Sequence, residues 1–261
     1  MAMSSKSNVM MASPWFQCVK PNPNPKLRLF CFPYAGAGAF IYKGWADHLP
    51  DTIEVWPVQL PGRGRRFKES PYTRIDSLVE DISQAMAPLL DLPFAFFGHS
   101  LGALVSFDLT RKLRNEFRLQ PSHLFVSGSR APHITRDDPI TYNLPDDQFI
   151  NELKRLNGTP REVLQHPELL RLMITTLRAD FEISETYISS AMSPLDCPIT
   201  AFSGWEDEEA PKGDVEAWKY QTTASFNLLM MPGDHFFLHT SESLLLQTLS
   251  KELNQLVRVV A

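Results

Sequence analysis

The sequence predicts an α/β fold, a mostly parallel central sheet with helices on both faces. Short apolar runs bounded by turn residues alternate with segments whose apolar residues recur at helical spacing. Short buried strands that alternate with helices are typical of a parallel sheet covered on both faces. The length of 261 residues suits one such domain. We therefore expect a single domain over 26–261, preceded by a disordered or extended lead-in over 1–25.

The individual elements follow from where the apolar runs begin and end. The predicted strands are Leu27–Phe32, Ile53–Val58, Phe94–Phe97, Leu124–Ser127, Ile199–Phe202 and Phe226–Met231. The helical spacing predicts helices over Ile75–Leu90, Ala103–Arg114 and Leu244–Val257. In the lead-in, prolines alternate with asparagines over 21–25, which excludes a helix there.

The stretch 137–193 breaks the alternation, because it contains no strand-like run. It contains two helical patterns instead, one over 149–156 and one over 169–181. A helical insertion of this length is long for one crossover between strands. It favours a helical lid over an active site, the alternative being ordinary crossover helices.

Composition and charge exclude several classes of protein. The 43% hydrophobic and 21% charged residues are typical of a globular chain. The net charge of −5 gives no global field for nucleic acid or an anionic membrane. No apolar run approaches the ~18–20 residues that span a bilayer, and 1–13 has no signal-peptide core. The three cysteines show neither metal spacing nor a disulfide framework. We expect a cytoplasmic protein with no bound metal.

The strongest motif is Gly98–Gly102, G-H-S-L-G, directly after a predicted strand and before a helix. This is the G-x-S-x-G turn of α/β-hydrolases, in which a strained backbone projects the serine hydroxyl into the site. Glycines at the flanking positions avoid collisions between strand and helix. The motif predicts an α/β-hydrolase fold with Ser100 as nucleophile. The N–H of Leu101, at the helix N-terminus, becomes a candidate donor to an oxyanion.

A serine nucleophile needs a base that follows it in the chain order Ser, Asp or Glu, His. Only His235 and His239 lie late enough to follow an acid on the penultimate strand. His235 comes in a Gly-Asp-His loop just after the last strand, whereas His239 is expected inside the next helix. We therefore predict His235 as the base.

The acid is expected just past the strand Ile199–Phe202, where four carboxylates follow one another over Glu206–Glu209. Much of this run could be a solvated acidic turn. Asp207 is the first choice, Glu206 the second and Asp234 a weaker third. Spacing alone does not separate Asp207 from Glu206.

A second oxyanion donor is expected in the loop after the first central strand. The loop Phe32–Gly38 fits, because its small residues allow the backbone to approach a substrate closely. The N–H of Ala35 is the predicted donor and that of Gly36 the alternative. Alternatively, the same residues form an ordinary glycine-rich turn with no role in catalysis.

Taken together, these motifs resemble the type II (external, editing) thioesterases of polyketide and nonribosomal peptide synthases. The resemblance runs from about residue 29 to 246 and depends on seven motifs in a fixed order. They are Phe32–Gly36, Gln59–Arg66, Gly98–Gly102, Ser127–Pro132, Leu156–Pro160, Leu177–Phe181 and Gly233–Leu238.

The resemblance implies a serine thioesterase with Ser100 as nucleophile, Asp207 as acid and His235 as base. Asp207 is favoured because the family places its aspartate three residues after a glycine like Gly204. The implied substrates are acyl groups on the phosphopantetheine arm of acyl or peptidyl carrier proteins. The implied role is removal of stalled or misprimed acyl groups, with no cofactor of the enzyme's own. We expect no nucleic acid or membrane partner, and a monomer, because editing of tethered substrates requires nothing more.

This sequence departs from the family pattern in two places. Tyr34 stands where the family often has histidine, and the stretch after Asp207 is acidic where a proline commonly follows. The alternative function is that of a soluble esterase acting on small oxygen esters. A docking module without turnover is disfavoured, because all three predicted catalytic residues are present.

A basic cluster at Arg63, Arg65, Arg66 and Lys68 has two interpretations. It could contact an acidic, phosphate-bearing carrier protein. It could equally be a solvated loop.

Overall fold

A computed structural model describes residues 13–135, 138–158, 163, 165–189 and 193–260. The six predicted strands form one sheet in the order β2-β1-β3-β4-β5-β6, and each neighbouring pair is parallel. They are β1 Leu27–Phe32, β2 Ile53–Pro57, β3 Phe94–His99, β4 His123–Ser127, β5 Ile199–Gly204 and β6 Phe226–Met231. The predicted α/β fold with a mostly parallel sheet is confirmed.

The strand order reverses once, and this reversal locates the site. The chain moves outward from β1 to β2 and then returns to the other side of β1 to form β3. In open parallel sheets, ligands bind outside the carboxyl ends of the strands at such a switch point. The loops after Phe32 and His99 meet at this point.

Seven α-helices lie within the described ranges, and most of them pack against the sheet. They are α1 Ile75–Met86, α2 Leu101–Lys112, α3 Asp146–Leu156, α4 Pro167–Glu185, α5 Lys212–Glu216, α6 Phe237–Thr240 and α7 Glu242–Val260. Helix α2 begins two residues before its predicted start, because the turn at Ser100 leads directly into it. The longest, α4 and α7, have 19 residues each. None of the described helices is long and apolar enough to cross a membrane.

The core has one layer on each face of the sheet. Along β1, Phe30 and Phe32 join a cluster with residues of α1 and α2, while Leu29 and Cys31 join a second cluster with residues of α7. This alternation follows from the two-residue period of a strand. Since both faces are covered, β1 is buried along its whole length.

The lead-in is anchored where the structure describes it. Trp15 and Phe16 are buried, and Phe16 forms an antiparallel bridge with Val58 beyond the end of β2. Residues 1–12 lie outside the described residues. This anchoring was not predictable from the sequence, because two adjacent aromatic residues show neither strand nor helix periodicity.

The predicted insertion holds the helices α3 and α4, which we call the insertion helices. Their buried side chains form a small core of their own: Phe149, Leu153, Leu170 and Leu177. The described part of 137–193 contains no strand. The end of the Leu156–Pro160 motif and parts of the connections lie outside the described residues.

A buried histidine in β4 makes stability depend on pH. His123 bonds through Nε2 to Thr200 Oγ1 at 2.9 Å and stacks on Phe125, and burial lowers its pKa to about 4. The unfolded chain, with a histidine pKa of about 6.5, then binds more protons than the folded one. The free-energy contribution of a neutral His123 is therefore present above pH 6.5 and is lost as the pH falls toward 4.

We predict that His123→Gln flattens the pH dependence of the free energy of unfolding between pH 6.5 and 4.5. The slope should fall by up to about 1.4 kcal/mol per pH unit, measured by urea unfolding. The exposed His48, changed to Gln, serves as control and should leave the slope unchanged. Equal slopes in all three proteins would contradict the prediction.

Candidate active site

Ser100 occupies a strained turn between β3 and α2. Its backbone has φ 53° and ψ −117°, in a region that costs a non-glycine residue about 1–3 kcal/mol. The turn is held on both sides, because the Ser100 N–H donates to the Ser127 carbonyl at 2.8 Å and its carbonyl accepts the Ala103 N–H at 2.9 Å. The surrounding structure therefore determines where the hydroxyl points.

The glycines of the motif permit two backbones to approach each other. A Cβ on Gly98 would lie 2.2 Å from the carbonyl oxygen of Gly102. A Cβ on Gly102 would lie 2.2 Å from that of Phe32. Since these obstacles are backbone atoms, only glycine allows α2 to begin against the end of β1.

The structure brings His235 and Asp207 together from the loops after β6 and β5. Nδ1 of His235 lies 3.1 and 3.0 Å from the two carboxylate oxygens of Asp207, whose side chain is buried. The N–H groups of Glu209 and Ala210 donate to Oδ1 at 3.0 and 2.9 Å. Because a carboxylate only accepts, Nδ1 carries the proton, and Nε2 is left to accept one.

The other candidates for these roles have different environments. Glu206 is exposed, and Asp234 accepts the N–H of Phe236 at 2.9 Å within its own loop. His239 lies in α6, where its Nε2 bonds to the Tyr34 hydroxyl at 2.9 Å.

Gly204 explains how the two loops come so close. A Cβ there would lie 2.5 and 2.6 Å from the carbonyl oxygens of Gly233 and Asp234. Only a residue without a side chain allows the end of β5 to lie against the loop that carries His235.

His99, for which the sequence predicted no role, links the strand that leads to Ser100 to the loop that carries His235. The ring is fully buried, and its Nε2 donates to the carbonyl of His235 at 3.0 Å. Nδ1 therefore accepts the hydroxyl proton of Ser127, at 2.9 Å. Burial lowers the pKa of His99 well below its ordinary value, so the ring stays neutral and the two bonds persist. The only signal in the sequence was its place in G-H-S-L-G.

Ser100 and His235 line one cavity of about 360 Å³, open on one side. Most of its wall is apolar, and the insertion helices contribute Leu153, Met173 and Leu177. No hydrogen bond joins Ser100 to His235 among the described residues. Such bonds are often long before a substrate binds.

The loop after β1 forms a type II turn beside Ser100. Ala37 N–H donates to the Tyr34 carbonyl at 3.0 Å, and Gly36 has φ 79°. The Gly36 N–H, the alternative oxyanion donor, is already bonded to Asp180 Oδ2 at 2.7 Å. Within the described chain, the N–H groups of Ala35 and Leu101 have no acceptor, and both residues line the cavity.

Two residues of the basic cluster, Arg63 and Arg66, are buried, so both interpretations are wrong for them, whereas Arg65 and Lys68 are exposed. Arg63 forms a buried ion pair with Asp180, and Arg66 pairs with Glu69. Arg65 donates to the carbonyls of the lead-in residues 13, 14 and 16. The contacts of Arg63 and Arg65 hold segments that are far apart in sequence, which a local charge pattern does not reveal.

A comparison with known families identifies the family to which the chain belongs. The family model described as "Thioesterase domain" matches residues 27–253, most of the chain. The chain belongs to the thioesterase family. The predicted thioesterase resemblance is confirmed, and the fold is that of the α/β-hydrolase thioesterases.

Individual relatives support this family assignment. The chain is 44% identical over 245 residues to the gramicidin S biosynthesis protein GrsT of Aneurinibacillus migulanus, covering 94% of this chain and 96% of that protein. Among solved structures, RedJ, a thioesterase of the prodiginine pathway in Streptomyces coelicolor, matches with TM-score 0.83 and 39% identity, covering 89% and 95% of the two chains. BorB, a type II thioesterase from the borrelidin cluster, matches with TM-score 0.84 and 31% identity, covering 92% and 97%.

If Asp207 orients His235, its amide variant should lose activity through the wrong histidine tautomer. We predict that Asp207→Asn lowers kcat for thioester hydrolysis by about 10³–10⁴-fold. The neighbouring Glu206→Gln should stay within about twofold of the wild type, because Glu206 is exposed. Steady-state kinetics of the two variants measure the difference, and a larger loss in Glu206→Gln would reverse the assignment.

Proposed function

We propose that this thioesterase releases acyl groups from the phosphopantetheine arm of carrier proteins, and so clears stalled or misprimed chains from a polyketide or nonribosomal peptide synthase. The observation that carries the proposal is the meeting of three features at one apolar cavity. These are the strained Ser100, the Asp207–His235 pair and two N–H groups without acceptors. By their names, the relatives GrsT, RedJ and BorB belong to the biosynthesis of gramicidin S, prodiginine and borrelidin, and YbtT, a solved structure 28% identical to this chain, is a type II thioesterase of an NRPS/PKS pathway.

In the first step, the Ser100 oxygen attacks the thioester carbonyl carbon while its proton passes to Nε2 of His235. The carbon–sulfur bond then breaks. The departing sulfur takes the proton from Nε2, which leaves the carrier with a free thiol and the acyl group as an ester on Ser100. Asp207 stabilises the imidazolium through Nδ1.

In the second step, water attacks the acyl ester and gives its proton to Nε2. Collapse of the tetrahedral intermediate releases the carboxylic acid and returns the proton to the Ser100 oxygen. All exchanged atoms come from the thioester and water, so we assign no cofactor to the reaction.

Both steps pass through a negative oxygen on the former carbonyl. The N–H groups of Ala35 and Leu101 are the proposed donors to it. Leu101 is the first residue of α2, so the positive end of the helix dipole also favours the negative charge.

The cavity accounts for tolerance toward different acyl groups. Among the described residues, its wall from the insertion helices is apolar except for Ser184 and offers no array of polar groups that would select one chain. Met173 adds a flexible side chain that adapts to different shapes. We propose that the insertion helices act as the lid that covers the acyl group and excludes water from the thioester.

We predict that the wild type releases acetyl, propionyl and longer acyl groups from a phosphopantetheinylated carrier protein, followed by intact-protein mass spectrometry. Ser100→Ala should be at least about 10³-fold slower, because the nucleophile is absent. Ser129→Ala, which removes another hydroxyl from the same cavity wall, is the matched control and should stay within about threefold.

The oxygen-ester function is the competing outcome of this experiment. If wild type and Ser100→Ala leave the carrier equally acylated while the wild type rapidly hydrolyses a matched small oxygen ester, the carrier proposal is wrong. The enzyme would then be an esterase.

A further inference from the structure

A buried ion pair, separate from Ser100, Asp207 and His235, joins the insertion helix α4 to the loop after β2 that contains Arg63. Nη1 and Nη2 of Arg63 lie 2.5 and 2.7 Å from the two carboxylate oxygens of Asp180. The residues are 7% and 2% exposed, so the pair is shielded from water. Asp180 lies on α4, 117 residues further along the chain.

The same pair also holds the loop of the predicted oxyanion donor. Oδ2 of Asp180 accepts the Gly36 N–H at 2.7 Å, and Nη1 of Arg63 donates to the Ala37 carbonyl at 3.2 Å. Together with the bond that closes the turn, these contacts bond the turn on both sides of Ala35. The Ala35 N–H is left facing no protein acceptor within the described residues.

The contact with Gly36 selects one of two possible turns. Type I and type II turns differ mainly by a rotation of the central peptide, which here joins Ala35 to Gly36. In the type II form, Gly36 has the left-handed φ of 79° and its N–H points at Asp180. A hydrogen bond to a buried carboxylate is charge-assisted and strong, so the carboxylate holds this peptide in the type II orientation.

We propose that Asp180, held by Arg63, is a positioning residue that fixes the Ala35 N–H in the oxyanion site and connects that site to the insertion helix α4. The inference rests on the proposed function, since it assumes an oxyanion beside Ala35. Its consequence is that removal of the pair weakens binding of the tetrahedral intermediate far more than binding of the substrate.

If the ion pair had only a structural role, replacing it by apolar residues that preserve the packing would leave kcat unchanged. A buried ion pair can often be replaced by apolar residues of similar volume without loss of stability. The double variant Arg63→Met/Asp180→Leu therefore keeps a packed junction but removes the acceptor of Gly36. Asp180→Asn keeps an oxygen that can accept from Gly36, and it should lose less activity than the double variant.

Two inhibitors separate the intermediate from the substrate. An alkylboronic acid forms a tetrahedral adduct on the serine hydroxyl, and a thioether analogue of the acyl-pantetheine resembles the unreacted thioester. For the double variant we expect kcat to fall by about 10²-fold with KM within about threefold. Boronic acid affinity should fall along with kcat, and thioether affinity should stay unchanged.

Thr176→Val is the matched control. Thr176 lies one turn before Asp180 on α4, is also buried, and donates to the Gly62 carbonyl at 2.8 Å, with no hydrogen bond to the turn at Ala35 among the described residues. Its kcat and both affinities should stay within about threefold of the wild type.

The inference is overturned if the folded double variant keeps kcat within about threefold, or if both inhibitors weaken equally in it, since that would indicate a collapsed pocket. Should the double variant not fold, Asp180→Asn decides the same question, because its neutral amide removes the charge assistance of the bond to the Gly36 N–H. Boronic acid affinity must then fall more than thioether affinity, and an unchanged ratio of the two affinities overturns the inference. If the wild type releases no acyl group from a thioester, the proposed function fails on its own, while the boronic acid comparison still tests the positioning.

Discussion

The active site depends on one close approach, that of the start of α2 to the end of β1. Gly102 lies against the carbonyl of Phe32 so closely that a single added carbon would overlap it. This contact confines Ser100 to a strained backbone conformation between β3 and α2. It also places the first N–H of α2 beside the turn that carries Ala35, so the same contact positions the proposed nucleophile and both proposed oxyanion donors.

The remaining groups are brought to that point by contacts over long sequence distances. The loops after β5 and β6 bring Asp207 and His235 together, and Gly204 lets those loops touch. His99 connects the strand of the nucleophile to the backbone of His235, 136 residues away. The strained backbone of Ser100 persists because the segments around it are held in place by contacts with one another. A strained conformation is stable only where the surrounding structure fixes it in this way.

The sequence predicted those parts of the molecule that are determined by residues close together in the chain. The bounds of β1 and β6 agree with the prediction residue for residue, because each is an apolar run that ends at a proline. The G-x-S-x-G turn carried its own context of strand and helix. The choice of Asp207 over Glu206 needed the family resemblance, since spacing left both open, and the structure places Asp207 against His235.

The parts that could not be predicted involve partners far apart in the chain. The charges of Arg63 and Arg66 looked like a surface patch, because nothing near them shows that Asp180 and Trp15 cover them. The anchoring of Trp15 and Phe16 likewise depends on Val58 and the far side of the sheet. Local charge and period carry no information on such contacts, although one of them, the Arg63–Asp180 pair, bonds the turn that carries Ala35.

A crystal structure with an alkyl phosphonate covalently bound in the site would test most directly whether these groups act together. The predicted result is phosphorus bonded to the Ser100 oxygen, with one phosphonate oxygen within about 3 Å of both the Ala35 and Leu101 nitrogens. Nε2 of His235 should lie within hydrogen-bond distance of the Ser100 oxygen, and the alkyl chain should lie against the insertion helices. A phosphonate bonded to another residue, or an oxygen turned away from both N–H groups, would contradict the assignment.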